Sequence, residues 1–453
     1  MWAPTRAEWR QEEFVLGMWE GPCLTPNYDM SNRDAVRQDS MSWQIAKDAY
    51  FNLVLKAPGS PPEATYRRME YMLEIASRVG MRVLVTSDSA TCWNPPRPSG
   101  RSGPTWICVS CDPAYCQDEG RPGQPCHTCV PRHYVGLRSD LRETLYGYYL
   151  GDEPGEAEAG SIKSVLAAIK TTDPDKLGFF NLYPMHGRWK RPEYEAYVDL
   201  LVNDPDLTRR PDVVSFDHYP FVEGTRNDYF YSLRVAREKA GDRPVWAVTL
   251  AGKYPHPDVD YAPNAAEYRY MAHCPIAYGV KGLSAFYYAG MLVEPGCMET
   301  RGLYETVKEV NHHIRDVLGP MVMESDYLGT FHQSEAPTGE PLEADALVRS
   351  VEAPLVADLG DPGMMVGVFK SRAVAGRYYL FVVNKNLEAR SEVSISLKAE
   401  PTGGVFAAPR VVGYTVSSRP VSIPVSRGSF SVSFVGGEGR LFQVDGWGDS
   451  GPK

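Results

Sequence analysis

Over its first 320 residues the chain repeats one pattern eight times: a short run rich in β-branched and aromatic residues, then a polar or amphipathic stretch. The runs are Phe14–Trp19, Tyr50–Leu55, Arg82–Thr86, Tyr146–Leu150, Leu177–Leu182, Asp212–Asp217, Pro244–Leu250 and Gly282–Tyr288. They are apolar almost throughout, as strands covered on both faces must be. No Gly-rich phosphate-binding turn follows the first run, so eight such units fit a closed (β/α)8 barrel better than the alternative, a doubly wound open sheet.

Helices are legible between most of the runs. Ser60 as N-cap, Pro61 and Glu63 announce one whose apolar face holds Met69, Met72, Leu73 and Ala76 before Gly80 ends it. Others are expected over Leu137–Leu145, Glu156–Lys170, Glu193–Val202, Asn227–Ala240 and Leu303–Leu318, and one more starts at Asn264 with Glu267 three residues on. No helix is read between the first two runs.

From Met321 the period changes to two. In Ser429–Val435 the apolar set Phe430, Val432 and Phe434 alternates with serines, and Val393, Ile395 and Leu397 do the same. With Tyr378–Asn384 and Arg440–Val444 these strands predict a β-sandwich. The chain of 453 residues therefore divides into a barrel over 13–320 and an all-β domain over 321–448, with a loop expected over Glu335–Glu343.

A formal charge of -10 argues against a nucleic-acid or anionic-membrane partner, both of which need clustered cations. No apolar run is long enough to span a membrane, and the opening MWAPTRAEWRQEEF lacks the apolar core of a signal peptide. The expectation is either a cytoplasmic protein or a trimmed mature form. Oligomeric state is not legible.

Six of the nine cysteines fall between Cys92 and Cys129. The pairs Cys108/Cys111 and Cys126/Cys129 have a spacing close to that of a structural zinc site, with His127 as a substitute ligand. Four ligands would strand Cys92 and Cys116, whereas three disulfides use all six. Cys23 follows the first strand and Cys297 the eighth. Closure of a barrel makes those strands neighbours, so a bridge there is expected, leaving Cys274 over. Disulfides favour an extracytoplasmic setting, secreted or periplasmic.

Barrel enzymes build their sites at the C-terminal ends of the strands. The acids there are Glu20, Asp88, Asp152, Glu153, Asp217 and Glu294. No GxSxG elbow, HExxH helix or Walker loop occurs, and no cofactor or catalytic metal is called for. Two carboxyl groups suffice to cleave a glycosidic bond, one as proton donor and one as nucleophile or activator of water. Rings at strand ends suit a sugar, which has apolar faces and polar edges.

At YYLGDEP the chain resembles the (β/α)8 glycoside hydrolases loosely called clan A, whose fourth strand ends in Asn-Glu. The resemblance covers about residues 13 to 318. It puts Asp152 in the Asn place and implies Glu153 as acid/base, held protonated by an ionised Asp152 beside it. Phe216-Asp217-His218-Tyr219 and Phe286-Tyr287-Tyr288 resemble strand ends that line the sugar site in those enzymes. Clan members carry a nucleophilic Glu on strand seven, whereas PVWAVTLAG offers Thr249 and Ala251. Asp217 then serves as nucleophile or base, or the enzyme inverts, or the barrel binds glycan without cutting it. The implied site is Glu153, Asp217 and Asp152 for the chemistry. Trp19, Glu20, Asn181, Tyr183, His218, Tyr219, Trp246 and Tyr287 are expected to contact the carbohydrate.

Overall fold

The computed structural model describes residues 8–19, 21–25, 28–55, 65–86, 92–93, 107–108, 134–185, 189–222, 226–255, 259–293, 297–334, 346–350, 352–398, 410–414 and 419–445. Eight parallel strands close into a barrel: β1 (Val15–Met18), β2 (Leu53–Val54), β3 (Arg82–Thr86), β4 (Leu145–Asp152), β5 (Leu177–Leu182), β6 (Val214–Asp217), β7 (Val245–Leu250) and β8 (Gly282–Phe286). Each pairs with its sequence neighbours, and β8 closes on β1 with Val15 opposite Gly282. The eight expected strands are all present, the ends trimmed by one to three residues in most.

Inward residues of alternate positions fill the barrel. Val15, Leu53, Leu84, Tyr149, Phe179, Trp246 and Val248 form one packed cluster. The outward residues of the same strands pack under the helices. On β5, for example, Leu177 and Phe179 face in and Phe180 and Leu182 face out.

The sequence reading missed α1 (Arg33–Asp48), capped by Asn32, whose side chain accepts from Ala35 N at 3.2 Å. Its core face holds Val36, Asp39, Ser42, Trp43 and Ala46. Two polar residues interrupt the apolar stripe, which is why periodicity failed there. Buried Asp39 is satisfied by Thr25 Oγ1 at 2.9 Å and Tyr71 Oη at 2.6 Å. Further helices among the described residues include α2 (Thr65–Val79), α3 (Ser139–Thr144), α4 (Ala159–Thr172), α5 (Arg191–Val202), α6 (Arg226–Ala240), α7 (Ala265–Ala277) and α8 (Tyr304–His313). The Ser60–Glu63 cap expected for α2 lies outside the described residues. At α7 the Asn264/Glu267 capping box is present.

Beyond α8 the chain forms a six-stranded antiparallel sheet and a three-stranded one. Val366, Leu380, Val382 and Phe442 of the first meet Ile395 and Phe430 of the second in one apolar layer, the expected sandwich. Its outer face docks on α7. Gly367 lies against the Ala277 carbonyl, where an added Cβ would stand 2.3 Å from the oxygen, and Thr330 Oγ1 donates to that carbonyl at 2.7 Å.

Cys23 and Cys297 are joined by a disulfide with Cα atoms 6.0 Å apart, tying the loops after β1 and β8 as barrel closure predicts. Cys274 is a buried free thiol. In the cysteine-rich insertion, Cys92–Trp93 pairs antiparallel with Ile107–Cys108, and Cys92 lies opposite Cys108. Cys111, Cys116, Cys126, His127 and Cys129 lie outside the described residues, as do Glu335–Glu343, Asp88 and Glu294. Among the described residues, no helix is long and apolar enough to cross a membrane.

Candidate active site

The site is built on an irregularity in β4. Tyr149 pairs with Phe179 and Gly151 with Phe180, so Leu150 is extra and the ladder is bulged. The bulge shifts the alternation by one residue. Asp152 then comes opposite Asn181, on the inward row that Phe179 occupies two residues earlier. Glu153, the next residue, has a φ of 48°, a left-handed conformation that costs a non-glycine residue about 1 kcal/mol. It is held there by its N–H, which donates to the Asn181 carbonyl at 2.8 Å. Residues kept in such conformations cluster at functional sites.

Asn181 gathers the acids. Its Nδ2 donates to Asp217 Oδ1 at 2.7 Å and, more weakly, to Asp152 Oδ1 at 3.4 Å, while its Oδ1 accepts from Ser215 Oγ at 2.9 Å. Tyr219 lies within electrostatic reach of the three acids. Burial pushes its hydroxyl well above the ordinary tyrosine range, and the charges of Asp217, Asp152 and Glu153, in that order, push it further. The Tyr219 ring stacks on Phe286 with centroids 5.5 Å apart and meets Tyr254 edge-on at 5.9 Å.

A second aromatic group supports the β4 and β5 loops. Tyr197 Oη donates to the Pro154 carbonyl at 2.9 Å and accepts from Tyr183 N at 3.1 Å. Trp189 stacks on Tyr197 at 4.8 Å, and Tyr183 is edge-on to Trp189 at 5.7 Å. This fixes the backbone that follows Glu153.

Of the residues expected at the mouth, Asp152, Glu153, Asn181, Asp217 and Tyr219 converge. Tyr183 flanks them, and Tyr287 follows a cis peptide bond at the end of β8, its ring 5.9 Å from that of Phe286. Trp19 is 3% exposed and packs edge-on against Tyr149 at 5.6 Å, so it belongs to the barrel's packed interior. Glu20 lies outside the described residues.

Two expectations are corrected. Trp246 sits at the start of β7, at the opposite end of the barrel, stacked on Tyr146 and donating from Nε1 to Gln11 Oε1 at 2.9 Å. It is a barrel-filling residue, because being on a site strand does not place a side chain at that strand's C-terminal end. A cavity of about 600 Å³ lined by Trp9, Arg82, Tyr146 and Lys176 opens at that same N-terminal end, remote from the carboxylates. His218 follows Asp217 and faces the other side of the strand. It is buried, with Nδ1 3.2 Å from Ser232 Oγ of α6 and its ring edge-on to Tyr229.

Ser215, Tyr197 and Tyr254 were not anticipated. Ser215 could have been found, since it precedes Asp217 by two residues and must share its face. At the end of β7, Thr249 Oγ1 donates to the Ser284 carbonyl at 3.2 Å and Ala251 N donates to the Phe286 carbonyl. Among the described residues, no group of three or more His, Cys, Asp and Glu is arranged to hold a metal.

No protein-family model and no curated protein matches the chain. Solved structures do. A glycoside hydrolase family 30 endoxylanase from Clostridium papyrosolvens aligns over 97% of this chain and 98% of its own, at 10% identity and a TM-score of 0.50. An α-amylase from Anoxybacillus aligns over 97% and 98%, at 10% identity and a TM-score of 0.48. A family 27 β-L-arabinopyranosidase from Geobacillus stearothermophilus aligns over 96% and 97%, at 9% identity and a TM-score of 0.47. The likeness to the endoxylanase is one of fold, and it extends over both the closed barrel and the β-sandwich of this chain.

Proposed function

We propose that the protein is a glycoside hydrolase acting on an oligo- or polysaccharide, with Glu153 as general acid/base and Asp217 as the second carboxylate. The observation that carries this reading is the grouping of the acids around Asn181, through the side chains of Asp152 and Asp217 and the backbone of Glu153, at the C-terminal ends of β4, β5 and β6. Cleavage of a glycosidic bond needs one carboxyl to protonate the departing oxygen and another to meet the positive charge that develops at the anomeric carbon. The partly exposed Phe286 ring, backed by the stacked ring of buried Tyr219, supplies an apolar surface suited to a sugar face. Fold likeness to the endoxylanase agrees with this reading but does not choose the sugar.

The Cys23–Cys297 disulfide favours an extracytoplasmic setting, where such bonds persist. A strand seven whose end offers Thr249 and Ala251 rather than an acid favours a second reading, a barrel that binds glycan without cutting it. Release of reducing sugar from a glycan panel separates the two. The hydrolase reading expects turnover by the wild type and its loss in Glu153→Gln with binding kept. Undiminished turnover in that variant rejects Glu153 as the acid, and binding without any turnover in the wild type favours the binder.

A further inference from the structure

Asn181 touches the backbone or side chain of all three acids. Its side-chain amide donates to Asp217 and Asp152, and its backbone carbonyl accepts from Glu153 N. The orientation of the amide is set by chemistry: a carboxylate can only accept, so the NH2 must face the aspartates, and the Oδ1 that faces away takes the Ser215 hydroxyl. Asn181 is 1% exposed and Ser215 2%. Both amide protons and one lone pair of the carbonyl are thus engaged inside the protein, and burial leaves little of Asn181 to offer a sugar. The contacts follow from register, since Asp152 on β4 and Ser215 on β6 each lie directly opposite Asn181.

We propose that Asn181 is a positioning residue, oriented by Ser215, that holds Asp152 and Asp217 as a bridged pair and fixes the turn carrying Glu153. This rests on the glycosidase reading of the site and replaces the expectation that Asn181 contacts the carbohydrate. The two N–H bonds of the amide diverge by about 120°, which puts the two acceptor oxygens about 5 Å apart. At that separation two carboxylates repel, and the shared donor offsets the repulsion. Without it, one aspartate takes up a proton or swings away, and Asp217 loses its aim. Asn181 therefore acts through Asp217.

Kinetics and side-chain amide exchange test this separately. Asn181→Ala is expected to lower kcat about a hundredfold with KM changed less than about twofold, and to move the acid limb of the pH–rate profile upward by about one pH unit. Ser215→Ala should lower kcat about tenfold, and Ser215→Thr, which keeps the hydroxyl, should recover most of it. A rise in KM with kcat kept would make Asn181 a sugar contact and overturn the proposal. The second measurement needs no activity. In the 15N spectrum of the wild type, the side-chain amide pair absent from Asn181→Ala should exchange with water at least about tenfold more slowly than exposed asparagines, and Ser215→Ala should remove that protection. Fast exchange in the wild type, or protection unaltered in Ser215→Ala, rejects the bridge. A wild type without turnover on any glycan removes the hydrolase reading alone, and the exchange result still decides the role of Asn181.

Discussion

Lys385 Nζ lies 3.2 Å from His332 Nδ1, and both side chains are fully buried where the β-sandwich meets the barrel. The other ring nitrogen of His332 is 3.0 Å from Tyr278 Oη, and its ring meets Phe230 edge-on at 4.8 Å. Burial brings Lys385 down to about 8 and, with the lysine's charge, holds His332 well below the ordinary histidine range. Between pH 8 and the lysine's unperturbed value near 10.5, the unfolded chain binds a proton that the folded one has released. Stability contributed by this site therefore rises with pH across that window. The expected outcome is that the difference in unfolding midpoint between Lys385→Met and wild type narrows as pH goes from 8 to 9.5. A difference that stays constant over the range would show that Lys385 titrates as an exposed lysine.

The same sign holds at acid pH through two other histidines. Burial lowers His273 to about 4 and His313 to about 3, and His313 Nε2 is buried without a hydrogen-bond partner. As pH falls from 6.5 to 4 the unfolded chain takes up protons that these folded side chains refuse, so stability is lost progressively. His313→Leu replaces an unpaired polar group with an apolar one of similar size. It is expected to cost little at pH 7 and to flatten the loss between pH 6 and 4, as read from denaturation midpoints. An unchanged slope would assign the acid sensitivity elsewhere.

The disulfide closes a loop with a sequence separation of 274. By the loop-entropy argument a bridge of that span stabilises by about 5 kcal/mol, less if the reduced chain keeps residual structure. Because it staples the mouth across β1 and β8, reduction should lower the thermal midpoint by several degrees and reduce turnover alongside. Cys23→Ser should reproduce both effects, and a reductant should then change nothing further in that variant.

The barrel was legible because its strands are buried on both faces and its connections obey one rule, so run length and punctuation sufficed. Helix α1 was hidden by Asp39, a polar residue whose burial is explained by the Thr25 N–H and the hydroxyls of Thr25 and Tyr71. At the site, the strand end and its acids could be read, but not which acid faces inward. That depends on the extra residue at Leu150, and a bulge leaves no mark in a pattern of alternating aromatics. His218 and Trp246 were misplaced for related reasons. One lies a single residue from Asp217 and so faces the opposite side. The other is on a site strand but at its far end. The bonds of Asn181 to Asp152, Asp217 and Ser215 could not be read, because sequence cannot tell a side chain that meets a ligand from one engaged by its neighbours.

Asp152 carries a prediction of its own. A carboxylate about 5 Å from another interacts with it by roughly 3 kcal/mol at the effective dielectric of a protein surface. Removing its charge while keeping its shape should spare the fold and relax the repulsion felt by the other acids. Asp152→Asn is expected to keep turnover within about tenfold of wild type and to move the basic limb of the kcat/KM profile to lower pH. Complete loss of turnover would instead give Asp152 a direct part in bond cleavage.

Glu153 offers a test that separates function from stability. Its φ of 48° is one that glycine adopts freely and glutamate does not. Glu153→Gly should therefore relieve strain, raising stability by about 1 kcal/mol at most once the greater freedom of the unfolded glycine is counted. Glu153→Gln keeps the side-chain shape and the strain, and should leave the unfolding midpoint where it is. Both should abolish turnover if Glu153 is the proton donor. A pair of inactive variants, one slightly more stable than wild type and one unchanged, would mean that the conformation is maintained for the chemistry, at a small cost to the fold. Destabilisation by Glu153→Gly would mean that the side chain, and not the Asn181 carbonyl alone, holds the turn in place.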